Sequence, residues 1–259
     1  MKVAPKKHLG QHFLINQSVC QKIVDAVPAL SPQSLVLEIG PGKGAITKFL
    51  LERNDMDLHA FEIDMESVKY LNHTYPHFSN VHLTDFLKED LTTFFEGKEF
   101  SVVGNFPYNI SSQIMFKCLE YREKIPLILG MFQKEVARRI AEPPGSKEYG
   151  ILSVLIQAFY DVKYLFSIEP GSFFPPPKVV SGVIRCTRNH RLSLPCNEAL
   201  FITVVKTAFN QRRKTLRNSL KSLTLSLPVE ISGKRPEQLT VDEYIYLTQF
   251  IEEHGQKKH

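Results

Sequence analysis

The residues best suited to chemistry stand in "GNFPYN", Gly104 to Asn109. The run "EFSVVG" that leads into it reads as a buried strand, so Asn105, Phe106, Pro107 and Tyr108 come at a strand end. An asparagine amide oxygen accepts a hydrogen bond from a substrate N–H. A residue before proline is pushed toward extended backbone, which can turn the Phe106 carbonyl into a pocket. Tyr108 adds an aromatic face. Two acceptors and a ring are what an exocyclic base amine needs. Acceptors on its hydrogens hold the nitrogen toward sp³, with the lone pair free to attack an electrophile. The nitrogen becomes acidic as it attacks, so no strong base is required. That explains a neutral Asn where hydrolysis would place Asp or His. A rigid strand-to-helix turn with buried aromatics is the plainer alternative for the same four residues.

A second set is defined by spacing. "EIGPGKG" offers Glu38, Gly40, Gly42 and Gly44 at the end of an earlier strand. From Gly40 the chain reaches Glu62, Asp85 and then Asn105 in steps of 22, 23 and 20 residues. Each step is about one strand-helix unit, so one polar residue stands on the same edge of each of four successive strands. In an open parallel sheet that edge is where ligands bind. A glycine turn lets a ligand approach the backbone, and the helix start behind it offers N–H groups. An acid about 20 residues later can accept the hydroxyls of a ribose, and an Asp on the third strand can accept from an adenine amine. Together these contacts fit an adenosyl group. NAD, ATP and S-adenosylmethionine all carry one. The turn is G-P-G-K-G rather than G-x-G-x-x-G, and nothing matches G-x-x-x-x-G-K-[ST]. S-adenosylmethionine fits best, because its carboxylate can face the helix start and it brings no pyrophosphate.

Two further stretches suit nucleic acid. In "GSFFPPPKVVSG" three prolines fix the backbone, so Phe173 or Phe174 could be held as a stacking platform for a base; base–aromatic stacking is worth roughly 1–3 kcal/mol. The alternative is a stiff connector capped by a core Phe. From Lys206 to Lys221 the chain has six Lys or Arg and no acid, and Lys2, Lys6 and Lys7 open the chain without an acid. Charge of one sign in clusters suggests an anionic partner. A solvated helix face is the alternative. Arg212, Arg213, Lys214 and Arg217, with Lys6 and Lys7, are the candidate RNA contacts, and Phe209, Leu216 and Leu220 would anchor the stretch.

The elements that must position these residues alternate. Strands are expected over 35–40, 57–63, 80–86, 100–105 and 125–132, with helices between them, and further strands over 161–168 and 178–185. This predicts an α/β domain with a parallel sheet and helices on both faces. After about residue 190 no strand pattern remains. Phe201, Val204, Val205 and Ala208 form a helical stripe, and "VDEYIYLTQFIEE" reads as another helix. The expected division is therefore 1–189 for the α/β domain and 190–259 for a helical one. The 43% apolar fraction supports a real core. No apolar run approaches the ~18 residues of a membrane span, and the start lacks a secretory h-region. The four scattered cysteines form no C-x-x-C, so no metal site is expected, and free thiols suit the reducing cytoplasm.

At this point the residues resemble a known family. "LGQHFL", "EIGPGKGAIT", "NFPYNIS", "QKEVARRI", "FFPPPKVVSGVIR" and "FNQRRKTLRNSL" correspond, in order, to motifs of the KsgA/RsmA-type small-subunit ribosomal RNA adenine dimethyltransferases. The resemblance runs from about Lys6 to Ser222. It implies a Rossmann-like S-adenosylmethionine-dependent methyltransferase domain with a small helical C-terminal domain. It implies that His12 and Leu14 close over the cofactor, that Gly40 and its turn hold the methionine part, Glu62 the ribose, and Asp85 with Phe86 the adenine. Asn105 to Tyr108 would form the catalytic loop, and Phe174 would help to sandwich a flipped adenine. The implied partner is ribosomal RNA in an assembling small subunit, met by a monomer without a membrane. His12 stands where many members have Asn, and Phe106 where most have Leu. Two other readings remain open: the related antibiotic-resistance methyltransferase of large-subunit RNA, and an assembly or transcription factor that keeps the fold without methylating.

Overall fold

The computed structural model describes residues 3–254; Lys2 lies outside them. The chain divides into two compact units. Of the described residues, the first unit holds those up to Ala137 together with Lys163–Arg188, and the second holds Arg138–Val162 and those from Asn189 on. This differs from the expected division in that residues 138–162 group with the second unit.

The strands are β1 (Phe13–Leu14), β2 (Ser34–Ile39), β3 (Met56–Glu62), β4 (Val81–Leu83), β5 (Phe100–Asn105), β6 (Leu127–Gln133), β7 (Tyr160–Ile168), β8 (Phe173–Phe174) and β9 (Ser181–Arg188). Seven of them form one sheet in the order β4-β3-β2-β5-β6-β9-β7. The runs that read as continuously apolar are the buried central strands: β5 has Phe100, Val102 and Val103 at 1% exposure or less, as expected for a strand covered on both faces. β2 pairs in parallel with β3 on one side and β5 on the other. The chain thus leaves β2 in one direction and returns on the other, which makes the switch point fall at the ends of β2 and β5. The expected parallel sheet is mixed at one edge, where β9 runs antiparallel to β6. Alternating apolar residues predict a strand but not its direction.

The N-terminal segment makes a separate two-stranded ladder. β1 pairs antiparallel with β8, Phe13 opposite Phe174 and Leu14 opposite Phe173. Leu14 and Phe173 continue into a core with Val24, Val36 and Leu129. This ladder brings residues 9–14 back over the sheet edge that carries the strand-end residues.

The second unit is helical over most of its length. Its longest helices are Glu198–Asn210, capped by the Asn197 side chain on Leu200 N, and Val241–His254. Phe201, Val204, Val205 and Ala208 are all buried, as their spacing predicts. A helix at Ile151–Gln157 was not expected. Among the described residues no helix is long and apolar enough to cross a membrane and no acid, His and Cys cluster could hold a metal.

Candidate active site

The strand ends converge within the first unit on a cleft lined by the glycine turn, Glu62, Asp85, the Asn105–Tyr108 loop and residues 9–14. Parallel register sets this up. Gly40 N donates to Phe61 O at 2.9 Å, so the glycine turn begins beside Glu62. The turn itself needs glycine at two points. Gly40 has φ +66°, and a Cβ there would project into open space, so the backbone forms a bare cradle. Gly42 has φ +56°, and a Cβ would meet the Phe13 ring at 2.9 Å. The N-terminal segment therefore closes on the turn only because residue 42 lacks a side chain. The helix behind the turn is short, Thr47–Leu50.

Glu62 is 5% exposed and its carboxylate is held in place before any ligand arrives. Oε2 accepts from Gly42 N at 3.0 Å, and Oε1 accepts from Ile63 N and Asp64 N, both at 2.9 Å. A carboxylate offers about four lone-pair sites, so Oε2 has the greater remaining capacity. Burial pushes its pKa above the ordinary range, opposed by these N–H donors and aided by the charge on Asp64. Asp85 accepts from Leu87 N at 3.0 Å and lies 3.6 Å from Lys88 Nζ, while Phe86 is buried beside it. Lys117 ties this edge down, donating to Leu87 O at 3.1 Å and Glu89 O at 2.7 Å. Sequence reasoning missed Ile63. It follows the strand-end acid, lines the cleft, and is 50% exposed, an apolar wall beside a polar floor. The signal available was an apolar residue directly after Glu62, at the point where the strand ends.

Glu38 is nearly fully buried and accepts from Thr47 Oγ1 at 2.6 Å. Burial pushes its pKa up to about 8; the Thr47 bond opposes this and the Glu62 charge adds to it. The folded pKa lies above the unfolded one, so stability from this group is fully present below the unfolded pKa and is lost as pH rises toward about 8. Thermal melts of the ligand-free protein should show stability falling across that window. Glu38→Gln should flatten the fall, and an equally steep fall in the variant would remove Glu38 as its cause.

The loop at Asn105 is fixed from several sides. Asn105 Nδ2 donates to His12 O at 3.0 Å. A carbonyl can only accept, so the amide nitrogen must be the atom on that side. Oδ1 is thereby left as the acceptor. Phe106 is fully buried, and its ring fills a slot where a Cβ on Gly104 would stand 2.9 Å from it and one on Gly130 closer still. It also meets Phe132 edge-on, with centroids 5.2 Å apart at 84°. The larger side chain at this position is accommodated by the two glycines, and what Phe106 can offer a ligand is backbone. Tyr108 is half-buried and shares a hydrogen bond with Ser181 Oγ. Burial pushes its phenol above the ordinary range, with the Ser181 bond opposing.

The remaining candidates fall in different places. Phe174 is 59% exposed on β8, opposite Phe13 in the ladder, and is not among the residues that line the cleft. His12 and Leu14 both line it, Leu14 from the core. Lys6, expected on RNA, is committed to Asp64 Oδ1 at 2.6 Å and lies 3.4 Å from Glu66, while Lys7 is exposed. In the second unit, Arg213 and Lys214 are exposed, and Leu216 and Leu220 are buried, as an anchored basic face requires. Phe209 is half-buried near the Tyr149 and Tyr244 rings. Arg212 lies 3.7 Å from Glu237 and donates to Ser146 O. Arg217 is exposed and donates to Ser232 Oγ at 3.2 Å.

The model for the ribosomal RNA adenine dimethylase family matches residues 3–244. The ribosomal RNA small subunit methyltransferase A of Flavobacterium johnsoniae is 56% identical over 258 residues, which cover 98% of this chain and 98% of that one. Its namesake from Cytophaga hutchinsonii is 52% identical over 255 residues, covering 96% of this chain and 98% of that one. Among solved structures, a dimethyladenosine transferase from Plasmodium falciparum shares the fold, with a TM-score of 0.79 at 24% identity over 93% of this chain and 98% of that one. The 23S rRNA methyltransferase ErmE gives a TM-score of 0.72 at 25% identity, over 93% of this chain and 99% of that one. Motifs, fold, cleft and relatives agree: the chain belongs to the ribosomal RNA adenine dimethylase family.

Proposed function

We propose that this protein transfers methyl groups from S-adenosylmethionine to the exocyclic N6 of two adjacent adenosines near the 3′ end of small-subunit ribosomal RNA, leaving N6,N6-dimethyladenosine. The observation that carries the reading is the Asn105 amide. With Nδ2 spent on His12 O, Oδ1 remains as an acceptor at a strand end that also bears Tyr108. A neutral acceptor beside an aromatic face suits an uncharged base amine.

The cleft suits the cofactor. A buried carboxylate with spare capacity on Oε2 sits 3.0 Å from a glycine turn whose Gly40 cradle is bare. When bound, S-adenosylmethionine supplies an electrophilic methyl on a sulfonium. Glu62 would take ribose hydroxyls, with Asp85 and Phe86 at the adenine. Asn105 Oδ1 and the Phe106 carbonyl would accept from the target amine, Tyr108 would stack on its ring, and the displaced proton would leave to water.

The relatives' names favour the small subunit over the large one, at 52–56% identity against 25% for the large-subunit enzyme. The strand-end set and the loop argue against a factor that no longer methylates. We take the enzyme to act as a monomer in the cytoplasm on an assembling small subunit. Reverse transcription on small-subunit RNA from cells lacking the gene tests this: the stops at two adjacent adenosines should vanish and return when the gene is restored.

RNA affinity should come in part from the exposed cations Arg213 and Lys214, with Lys7 on the N-terminal segment. Every phosphate that a removed cation leaves unneutralised should lower the slope of log affinity against log salt by about 0.7–0.9. Arg213→Ala with Lys214→Ala should flatten that slope by up to about 1.8 in filter binding to small subunits, leaving S-adenosylmethionine affinity as it was. An unaltered slope would make the stretch a solvated face.

A further inference from the structure

Tyr108 is held at two points, by the Ser181 hydroxyl and by the His12 ring. Its phenol oxygen lies 2.5 Å from Ser181 Oγ, and Ser181 is fully buried at the start of β9, opposite Gln133 of β6. One end of the tyrosine is thus tethered to the sheet. Its ring also stacks with His12, centroids 5.9 Å apart at 24°. His12 is itself fixed. Its Nδ1 is 2.8 Å from Pro175 O. A carbonyl only accepts, so Nδ1 carries the hydrogen and donates. The His12 carbonyl meanwhile takes the Asn105 amide. One residue therefore touches the amine acceptor, the aromatic ring, and the proline that follows Phe174.

A ring that only had to fill space would need no hydroxyl, and Phe would serve. A ring that must present one plane to an incoming base gains from anchors at its tip and on a face, because it is then ordered before the base arrives. We infer that Ser181 and His12 are positioning residues that clamp Tyr108, setting the plane on which the target base stacks. The clamp rests on the reading of Tyr108 as the base platform.

The test uses the full-length protein and small subunits lacking the modification. Ser181→Ala and Tyr108→Phe remove the same bond from opposite ends. Each should lower kcat on the order of tenfold while calorimetric S-adenosylmethionine affinity stays within about twofold of wild type. The double variant should be no slower than either single one, because there is only one bond to lose. Ser181→Thr, which keeps the hydroxyl, should restore most of the rate. His12→Phe keeps a ring but loses the donor to Pro175 O, and should slow the reaction similarly. An unchanged kcat in Ser181→Ala, or effects that multiply in the double variant, would overturn the clamp. If Ser181→Ala does not fold, Tyr108→Phe carries the same comparison. A readout independent of activity uses fluorotyrosine labelling. The ¹⁹F resonance that disappears in Tyr108→Phe should shift and narrow in Ser181→Ala; one that stays put also overturns the clamp. A wild-type enzyme that methylates no subunit would instead sink the functional proposal, with the ¹⁹F result still deciding the clamp.

Discussion

Asn105→Ala should reduce methyl transfer by at least about 10²–10³-fold, the loss typical when one preorganised group aimed at the reacting centre is removed. Binding to small subunits should be little changed, because phosphate contacts dominate RNA affinity. Asn105→Asp is the sharper comparison. It keeps an acceptor but has no N–H to give His12 O, which the wild-type amide meets at 3.0 Å. It also sets a charge against that carbonyl. The aspartate variant should therefore lose activity as well, although its side chain is the same size. Single-turnover rates with saturating small subunits check both variants. If either methylates at close to the wild-type rate, the amine is not held by this residue.

Glu62→Ala should weaken S-adenosylmethionine binding by about ten- to hundredfold, since hydrogen bonds to a charged group are worth about 1.5–3 kcal/mol. The structure adds a second cost. Gly42 N, Ile63 N and Asp64 N all donate to this carboxylate. Removing it leaves three N–H groups without their acceptor and loosens the glycine turn along with the ribose site. Titration calorimetry on the folded variant is the check, and an affinity equal to wild type would take Glu62 out of the cofactor site.

Much of this site was legible in the sequence because it follows from spacing. One strand and one helix consume about 20 residues, so Gly40, Glu62, Asp85 and Asn105 had to reach the same sheet edge. They line one cleft. The basic stretch was legible in its anchoring, since Leu216 and Leu220 recur at helical spacing and are buried. What was not legible depends on partners far along the chain. Nothing local to Tyr108 points to Ser181, 73 residues away, or local to Asn105 to His12, 93 residues away. Lys6 looked like a free cation because Asp64, its partner, lies 58 residues on. Arg212 likewise has its partners at Ser146 and Glu237. The helix Ile151–Gln157 was missed because "ILSVLIQ" is apolar on nearly every side and shows no helical stripe; its start is marked by Ser153, which accepts from Gly150 N at 2.9 Å. The Phe106 ring is wedged against Gly104 and Gly130, one on β5 and one on β6, a burial the sequence offers only as the plainer alternative for this loop. The two glycines pair directly in the sheet, so the slot exists only once the strands are in register.

The most direct test of the account is one reaction read by nucleoside mass spectrometry. Purified protein is incubated with S-adenosylmethionine and, separately, with small and large ribosomal subunits from cells lacking the modification. The account predicts N6,N6-dimethyladenosine in the small-subunit RNA, at two adjacent positions near its 3′ end, with none in the large subunit and none when Asn105→Ala replaces the wild-type enzyme. Methylated adenosine found only in the large subunit, or full methylation by the Asn105→Ala protein, would contradict it.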